Sequence, residues 1–203
     1  MTTAETRRLF NPENIGLNSL SLPKTPMRKN IRDFVRNCAL RFELGVPIID
    51  VACGYRNNYP EIALGTRGKT PFYIAFDHIS EFDQIEQGLG PNLVADASAI
   101  PLADSCAGTV VCTEVLEHVG DDSLVVAEMS RILRPGGLLI LTVPGKDVPK
   151  HEKLPHQLDY RRYTPSNLYK LLRQNRFTEI KLTACCDGER EINILVLGKR
   201  ITT

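Results

Sequence analysis

The chain has 203 residues, of which 42% are hydrophobic and 24% charged, and its formal net charge is +1. This length and composition are typical of one soluble domain with a sizeable core. The near-neutral charge argues against nucleic acid or an anionic membrane as a partner. The first residues lack the apolar core of a secretory signal, and no apolar run is long enough to span a membrane, so we expect a cytoplasmic protein.

The six cysteines are predicted to be free thiols in a reducing compartment, because the sequence contains no Cys-x-x-Cys pair. Cys185 and Cys186 are adjacent and would point to opposite faces of a strand. No metal site is therefore predicted.

Residues 1–25 are polar and irregular and are interpreted as an N-terminal arm, and residues 26–203 as a single domain. Thr25 and Pro26 are typical of a helix start, and Gly45 follows the predicted helix end. One face of this helix is basic, which is typical of an ordinary solvated helix face and also of an RNA-binding surface. The other face is apolar and predicted to be buried, and it comprises Ile31, Phe34, Val35, Cys38 and Phe42.

Five short apolar runs follow this helix, at residues 46–51, 72–76, 93–95, 109–113 and 138–143. They alternate with loops and helices, including helices predicted at 122–133 and from 165 onwards. Such runs are typical of a parallel sheet with helices on both faces. Two further runs, 177–184 and 191–197, predict a final antiparallel pair. The expected fold class is α/β: a Rossmann-like, doubly wound, mostly parallel seven-stranded sheet.

Acidic residues follow four consecutive strands of this predicted sheet: Asp50, Asp77, Asp96 and Glu114. One acid at a strand end is usually a turn or helix cap, but four in succession are harder to explain in that way. In open α/β sheets, ligands bind beyond the carboxyl ends of the strands. The sequence therefore predicts a ligand site at this edge.

Five segments together resemble the class I S-adenosylmethionine-dependent methyltransferases of the type 11 domain. They are IDVACG at 49–54, FD at 76–77, VADA at 94–97, CTEVLEHV at 112–119 and LRPGG at 133–137. The segment DYRRYTP at 159–165 is similar to part of bacterial methyltransferases associated with glycan synthesis. The resemblance covers about half of the chain.

The resemblance implies S-adenosylmethionine as the methyl donor and S-adenosylhomocysteine as the product. It implies that the turn at 52–54 passes under the methionine portion, that Asp77 binds the ribose hydroxyls, and that Asp96 and Ala97 read the adenine. The cofactor-binding residues that it implies are Asp50, Ala52, Cys53, Gly54, Asp77, His78, Asp96, Ala97, Thr113, Glu114 and His118.

Two positions depart from the glycine pattern of that family. Ala52 replaces the first glycine, which is tolerable only if a positive φ is not needed there. Arg56 replaces the third and adds a large side chain to the pocket edge. A catalytically inactive binding module therefore stays an alternative, as does an RNA methyltransferase that uses the basic first helix. A nicotinamide-dependent oxidoreductase would need Gly-x-Gly-x-x-Gly, of which only Gly54 is present.

Residues 144–163 form a long, irregular connection that is expected to lie over the site as an active-site loop. Methyl transfer is an in-line displacement, so the protein mainly positions the acceptor. A base of near-neutral pKa would help a hydroxyl or amine acceptor, and His156 and His151 in this loop are the candidates. The residues predicted to contact the acceptor are Tyr160, Arg161, Arg162 and Tyr163.

The same loop leaves one alternative open, because Arg162 could pair with Asp159 instead of with an acceptor. We expect a methyltransferase that acts on oxygen or nitrogen of a small acceptor, glycan-related or anionic. The sequence does not predict the oligomeric state.

Overall fold

The computed structural model describes residues 27–54, 58–65, 72–78, 90–150, 158–187 and 190–202, which contain four helices and seven strands. The helices are α1 (Met27–Arg41), α2 (Tyr59–Gly65), α3 (Asp122–Ile132) and α4 (Pro165–Gln174). The strands are β1 (Ile48–Val51), β2 (Tyr73–Asp77), β3 (Leu93–Val94), β4 (Ala107–Thr113), β5 (Leu133–Pro144), β6 (Phe177–Asp187) and β7 (Arg190–Arg200). The predicted N-terminal arm lies outside the described residues.

These seven strands form one sheet in the order β3-β2-β1-β4-β5-β7-β6. Strands β1 to β5 pair in parallel, whereas β7 is antiparallel to both β5 and β6. The predicted fold class is confirmed, including the antiparallel pair at the end. The strand order reverses between β1 and β4, which is where open α/β sheets form a ligand crevice.

Helices cover both faces of the sheet. Helices α3 and α4 pack on one face through buried residues such as Met129 and Leu172. Helices α1 and α2 pack on the other face, where Phe34 and Ile62 belong to a second apolar cluster together with Ile140 of β5. We call the side of the sheet that packs on α1 and α2 the α1 face.

Capping residues explain where α3 and α4 begin. The Asp121 carboxylate accepts hydrogen bonds from the backbone N–H groups of Ser123 (3.0 Å) and Leu124 (3.2 Å). Thr164 and Asn167 form a capping box at the start of α4, with a proline in its first turn. These local signals are the reason why both starts could be predicted from sequence.

The apolar face predicted for the first helix is mostly correct. Ile31, Phe34, Val35 and Cys38 are buried, but Phe42 lies one residue beyond the end of α1 and is 36% exposed. Its N–H still donates to the Cys38 carbonyl at 2.9 Å, and its side chain lines the same cavity as Phe34 and Cys38. The predicted face is therefore right, and only the burial at the helix end is incomplete.

Strand β5 begins five residues earlier than predicted, at Leu133 rather than at Leu138. Leu133 pairs with Ala107, and the register shifts before Leu138 pairs with Thr109. Gly136, with a φ of 77°, lies inside this irregular stretch. The Pro-Gly-Gly sequence therefore forms an irregularity within the strand and does not separate it from α3 by a loop.

Two smaller observations concern β6 and the helices. Cys185 is buried and Cys186 is exposed, so they lie on opposite faces of β6 as predicted. Within the described ranges, none of the helices combines the length and the apolar character that crossing a membrane requires.

Candidate functional site

The α1 face of the sheet changes from apolar to polar towards the carboxyl ends of the parallel strands. Ile140 of β5 and Leu195 of β7 belong to the apolar cluster under α1. Side chains alternate along a strand, so every second residue continues the same face. The residues that end the apolar rows on this face are, in order across the sheet, Asp77, Asp50, Thr113, Thr142 and Asn193.

Asp50 is fully buried, and both of its oxygens are used within the protein. Oδ2 accepts hydrogen bonds from the Asn58 backbone N–H (2.8 Å) and from the Tyr73 hydroxyl, and Oδ1 accepts one from Asn58 Nδ2 (3.1 Å). Burial nevertheless raises the pKa of Asp50 to about 6. The carboxylate thus joins the end of β1 to β2 and to the start of α2. A direct contact of Asp50 with a cofactor stays a prediction.

The turn after β1 has two residues in the left-handed region: Ala52 with a φ of 50° and Gly54 with a φ of 65°. The condition set for alanine at this position, that a positive φ is not needed, is therefore not met. The substitution leaves about 1 kcal/mol of strain at Ala52. A Cβ atom on Gly54 would meet no described residue within 4 Å, so conformation and not lack of space favours glycine there. The open space beside Gly54 gives a ligand access to the turn.

Asp77 lies beside this turn at the end of β2. Its Oδ2 accepts a hydrogen bond from the Gly54 N–H at 2.6 Å, and partial burial raises the pKa of this carboxyl. His78 follows it and is exposed, whereas Cys53 inside the turn is buried. The structure therefore brings together the predicted residues of the turn and the acid of the neighbouring strand.

Asp96 follows β3 and is exposed, and Ala97 next to it is buried. Asp96 Oδ1 accepts hydrogen bonds from the Ser98 N–H and the Ser98 hydroxyl, each at 2.7 Å. These bonds hold the pKa of Asp96 below its usual value. They also shape the backbone at the position predicted to read adenine.

A pair of residues on α3 holds the loop after Asp96, and sequence reasoning missed both. The Glu128 carboxylate accepts a hydrogen bond from the Ile100 N–H (2.8 Å), while Arg131 donates to the carbonyls of Ile100 and Leu102 (2.8 Å each). Glu128 and Arg131 also pair with each other at 2.7 Å. Their i, i+3 spacing looks like an ordinary surface pair, so the sequence carries no signal of this role.

On the other side of the crevice, Thr113 ends β4 and Glu114 follows with a φ of 55°. Asn58 Nδ2 donates to the Thr113 hydroxyl (3.3 Å), which links the turn after β1 to the end of β4. Asn193 Nδ2 of β7 donates to Glu114 Oε1 at 3.3 Å. Burial raises the pKa of Glu114 to about 7.

Glu117 is a second buried acid near Glu114, with 3% of its surface exposed. Burial and the neighbouring Glu114 charge raise its pKa. His118 lies next to it, with Nε2 at 3.5 Å from Glu117 Oε1 and Nδ1 at 2.9 Å from the Leu158 carbonyl. Sequence reasoning gave no role to Glu117 or to Asn193, although Asn193 is a polar residue in an otherwise apolar strand.

Arg162 is held within the protein. Its guanidinium donates to Asp159 Oδ2 (2.6 Å) and to the carbonyls of Val148 (2.8 Å) and Pro149 (2.6 Å). The side chains of Arg162 and Asp159 are 10% and 2% exposed. The pairing with Asp159, which the sequence left open as an alternative, is confirmed, and it fastens two parts of the long loop together.

Arg161 and Tyr163 also have partners in the protein. Arg161 pairs with Asp122 at 2.9 Å, and the buried Tyr163 hydroxyl lies 2.8 Å from Asp122 Oδ2. Tyr160 alone among the four predicted acceptor-binding residues is exposed, at 44%. Contact of these four residues with an acceptor stays a prediction. The candidate bases His151 and His156, and Arg56 at the pocket edge, lie outside the described residues.

Residues 49–141 match a protein family described as a methyltransferase domain. Among curated proteins, the chain is 40% identical over 63 residues to dimethylglycine N-methyltransferase of Parasynechococcus marenigrum. This aligned segment covers 30% of this chain and 22% of that protein. It is 31% identical over 100 residues to malonyl-[acyl-carrier protein] O-methyltransferase of Hahella chejuensis. This aligned segment covers 46% of this chain and 34% of that protein. The chain thus spans about a fifth and about a third of these two relatives.

A SAM-dependent methyltransferase from Archaeoglobus fulgidus has a similar structure, with a TM-score of 0.64 at 12% identity over 85% of this chain and 94% of that chain. At this level of sequence identity, the structural similarity shows only that the two folds are alike. The matched domain and these relatives together imply S-adenosylmethionine as the cofactor.

Proposed function

We propose that the protein is an S-adenosylmethionine-dependent methyltransferase that acts on oxygen or nitrogen of a small or glycan-related acceptor. The observation that carries this proposal is the pairing of Asp77 with the Gly54 N–H beside an open turn, at the switch point of the sheet. Methyltransferase-domain similarity over residues 49–141 supports it independently.

The residues present fit the cofactor. Asp77 offers a carboxylate, the group that binds ribose hydroxyls at the end of the second strand in dinucleotide folds. The positive φ of Gly54 and the free space beside it allow a ligand to approach the backbone closely. Asp96 and Ala97 would hold the adenine, and the backbone of the turn after β1 would hold the methionine portion.

When bound, S-adenosylmethionine supplies a methyl group that is already activated by its sulfonium. The protein's task is then to bind, to orient and to exclude water. Asp50 fixes the turn after β1 through Asn58 and Tyr73. Glu128 and Arg131 fix the loop after Asp96, which we call the adenine loop. Both the turn and this loop are thus fixed by contacts within the protein itself.

The acceptor is proposed at the end of β4, next to the loop that carries Tyr160. The two curated relatives are named for methylation of nitrogen in one case and of oxygen in the other, so they support both atoms. Tyr160 is exposed and could stack on a sugar ring, which supports a glycan-related acceptor. His156 and His151 remain the proposed bases.

Calorimetric titration with S-adenosylhomocysteine tests the cofactor site. We expect micromolar binding by the wild type and a loss of about 30-fold or more in Asp77→Asn, because a charged acceptor of two ribose hydroxyls is removed. Asp33→Asn, an acid on α1 that pairs with Arg36 away from the site, is the matched control. A folded wild type that does not bind S-adenosylhomocysteine would contradict the proposal and favour the inactive binding module.

A further inference from the structure

Two large side chains with apolar surface, Leu158 and Tyr160, are exposed beside the end of β4, at 45% and 44%. We call them the rim pair. Their backbone is fixed to the segment that follows β4: the Leu158 carbonyl lies 2.9 Å from His118 Nδ1, and the Tyr160 N–H donates to the Glu117 carbonyl at 2.8 Å. The rim pair is therefore presented from a held backbone at the place where the acceptor is proposed.

Further contacts hold the segment of the rim pair in place. Lys150 Nζ donates to the Tyr160 carbonyl, and the buried Tyr163 hydroxyl donates to the Leu116 carbonyl at 3.1 Å. A ligand that binds to a surface already fixed in this way loses little affinity to the cost of ordering it. Single exposed apolar side chains are common, but two neighbours on a held backbone at a ligand crevice indicate a contact surface for an apolar ligand.

The cations that the structure describes next to the rim pair are all bonded within the protein. Arg162 donates to a carboxylate and to two backbone carbonyls outside its own dipeptide. Arg161 pairs with Asp122 at 2.9 Å, and Lys150 is bonded to the Tyr160 carbonyl. An acceptor that carries a phosphate or carboxylate would compete with these bonds for its counter-charge. The described residues therefore favour an uncharged acceptor over an anionic one.

A cationic acceptor is disfavoured at the same place. The central carbon of the Arg161 guanidinium lies 5.9 Å from the centroid of the Tyr160 ring, so one cation already interacts with that ring. Burial raises the pKa of Glu114 and of Glu117, so these neighbouring acids carry less negative charge near neutral pH. A second cation at the rim pair would therefore meet the charge of Arg161 with little negative charge to offset it.

We infer that the rim pair binds the ring of an uncharged aromatic acceptor. This inference rests on the proposed function, and it narrows the small acceptor of that proposal to one chemical class. The Tyr160 ring packs well against a second flat ring, in an offset or edge-to-face arrangement, and Leu158 adds an aliphatic contact. A sugar ring would also stack on Tyr160, but its several hydroxyls need polar partners, which the Leu158 side chain does not supply.

Probes of matched shape and different charge test the inference on the full chain. Benzamide is uncharged, benzoate is an anion and benzamidinium is a cation, while methyl glucoside is an uncharged sugar. Ligand-observed NMR at pH 7 and constant ionic strength gives the Kd of each probe, both with and without S-adenosylhomocysteine. We expect benzamide to bind at least about fivefold more tightly than each of the other three probes.

Substitutions in the rim pair locate the binding site of the probe. Tyr160→Ala should weaken benzamide binding by about fivefold or more, and Leu158→Ala by about threefold, because each removes apolar contact area. Tyr160→Phe keeps the ring and should bind benzamide as the wild type does. Leu40→Ala is the matched control, because Leu40 lies on α1 and is exposed to a similar degree, 46%, and this variant should bind benzamide unchanged.

Three outcomes would overturn the inference. The first is that benzoate, benzamidinium or methyl glucoside binds as tightly as benzamide or more tightly. The second is that benzamide binding is unchanged in both Tyr160→Ala and Leu158→Ala, and the third is that the folded chain does not bind benzamide. The arm without S-adenosylhomocysteine reads the rim pair alone. A chain that binds benzamide but not S-adenosylhomocysteine would therefore contradict the proposed function and not the binding of an aromatic ring.

Discussion

The crevice has a cofactor half, at the ends of β1 to β3, and an acceptor half, at the end of β4 next to Asn193 of β7. The acidic side chains of the two halves differ in their hydrogen bonding. In the cofactor half, Asp50 has its oxygens occupied by Asn58 and Tyr73, and Asp77 is bonded to Gly54. In the acceptor half, Glu114 and Glu117 each keep a buried oxygen without a partner among the described residues. Completed hydrogen bonds make a half rigid, whereas unsatisfied carboxylates cost stability and leave bonding capacity for a ligand. The comparison predicts that similar changes in the two halves have opposite effects on stability.

The largest effect should follow from Asp50→Ala. The substitution leaves buried donors of Asn58 and Tyr73 unsatisfied, so we expect the free energy of unfolding to fall by about 3 kcal/mol. Urea unfolding measures it, with Asp33→Ala on α1 as the control. A loss below about 1 kcal/mol would mean that the cofactor half is not held by this carboxylate.

The next effect concerns the loop after Asp96. Arg131→Met removes the donors to the Ile100 and Leu102 carbonyls, and we expect it to cost about 2 kcal/mol of stability. It should also weaken S-adenosylhomocysteine binding about fivefold, because the adenine loop is no longer fixed. Calorimetry checks the affinity at a temperature where the variant is fully folded. Arg173→Met, on the surface of α4, should leave the affinity unchanged.

In the acceptor half, we expect that removing the charge of Glu114 stabilises the protein near pH 8, by less than Asp50→Ala destabilises it. The folded-state pKa of Glu114, about 7, lies above the usual value of 4.5, so the folded state binds a proton more tightly than the unfolded chain. Its contribution to stability is therefore complete below about pH 4.5 and is lost as the pH rises through 7. Between pH 6 and 8 we expect a loss of about 1 kcal/mol in the wild type.

Glu114→Gln should remove part of that pH dependence, because the neighbouring Glu117 also has a raised pKa and keeps its own contribution. The variant should be more stable than the wild type at pH 8. Urea unfolding at pH 6, 7 and 8 measures both effects. Asp50, whose pKa is raised to about 6, changes stability in the same direction at lower pH and contributes little above pH 7. If Glu114→Gln destabilised the protein at pH 8, the comparison between the two halves would be wrong.

The smallest effect is expected at Ala52, the strained residue of the cofactor half. Ala52→Gly relieves the positive φ but adds backbone freedom to the unfolded chain, so we expect a net gain of about 0.5 kcal/mol. Thermal unfolding checks it. Ala99→Gly, in the loop after Ala97, has no such strain to relieve and should cost stability.

The fold was predictable from sequence because the signals are local. Apolar runs and helix caps act within a few residues, which is why the starts of α3 and α4 and the antiparallel end of the sheet were predicted. Capping at Thr164, for example, depends only on Asn167 and Pro165. The extent of β5 was missed, because its first pairing, between Leu133 and Ala107, is decided by a partner 26 residues earlier.

The site was predictable only in outline. A parallel sheet brings strand ends together, so the acids at those ends could be placed at one edge. What each acid bonds to depends on distant residues: Asn193 reaches Glu114 across 79 positions, and His118 reaches Leu158 across 40. Arg162 looked like a ligand for an acceptor because its sequence gives no sign of the carbonyls of Val148 and Pro149 that it binds.

The antiparallel direction of β7 has a consequence for the order in which the crevice is completed during synthesis. Strands β1 to β4 bring their late residues to the edge, whereas β7 brings its early residue Asn193 to the same place. Glu114 is therefore synthesised 79 residues before the amide that it bonds. Because domains generally fold as units, the acceptor end of the crevice is complete only when the last strand of the chain has been added.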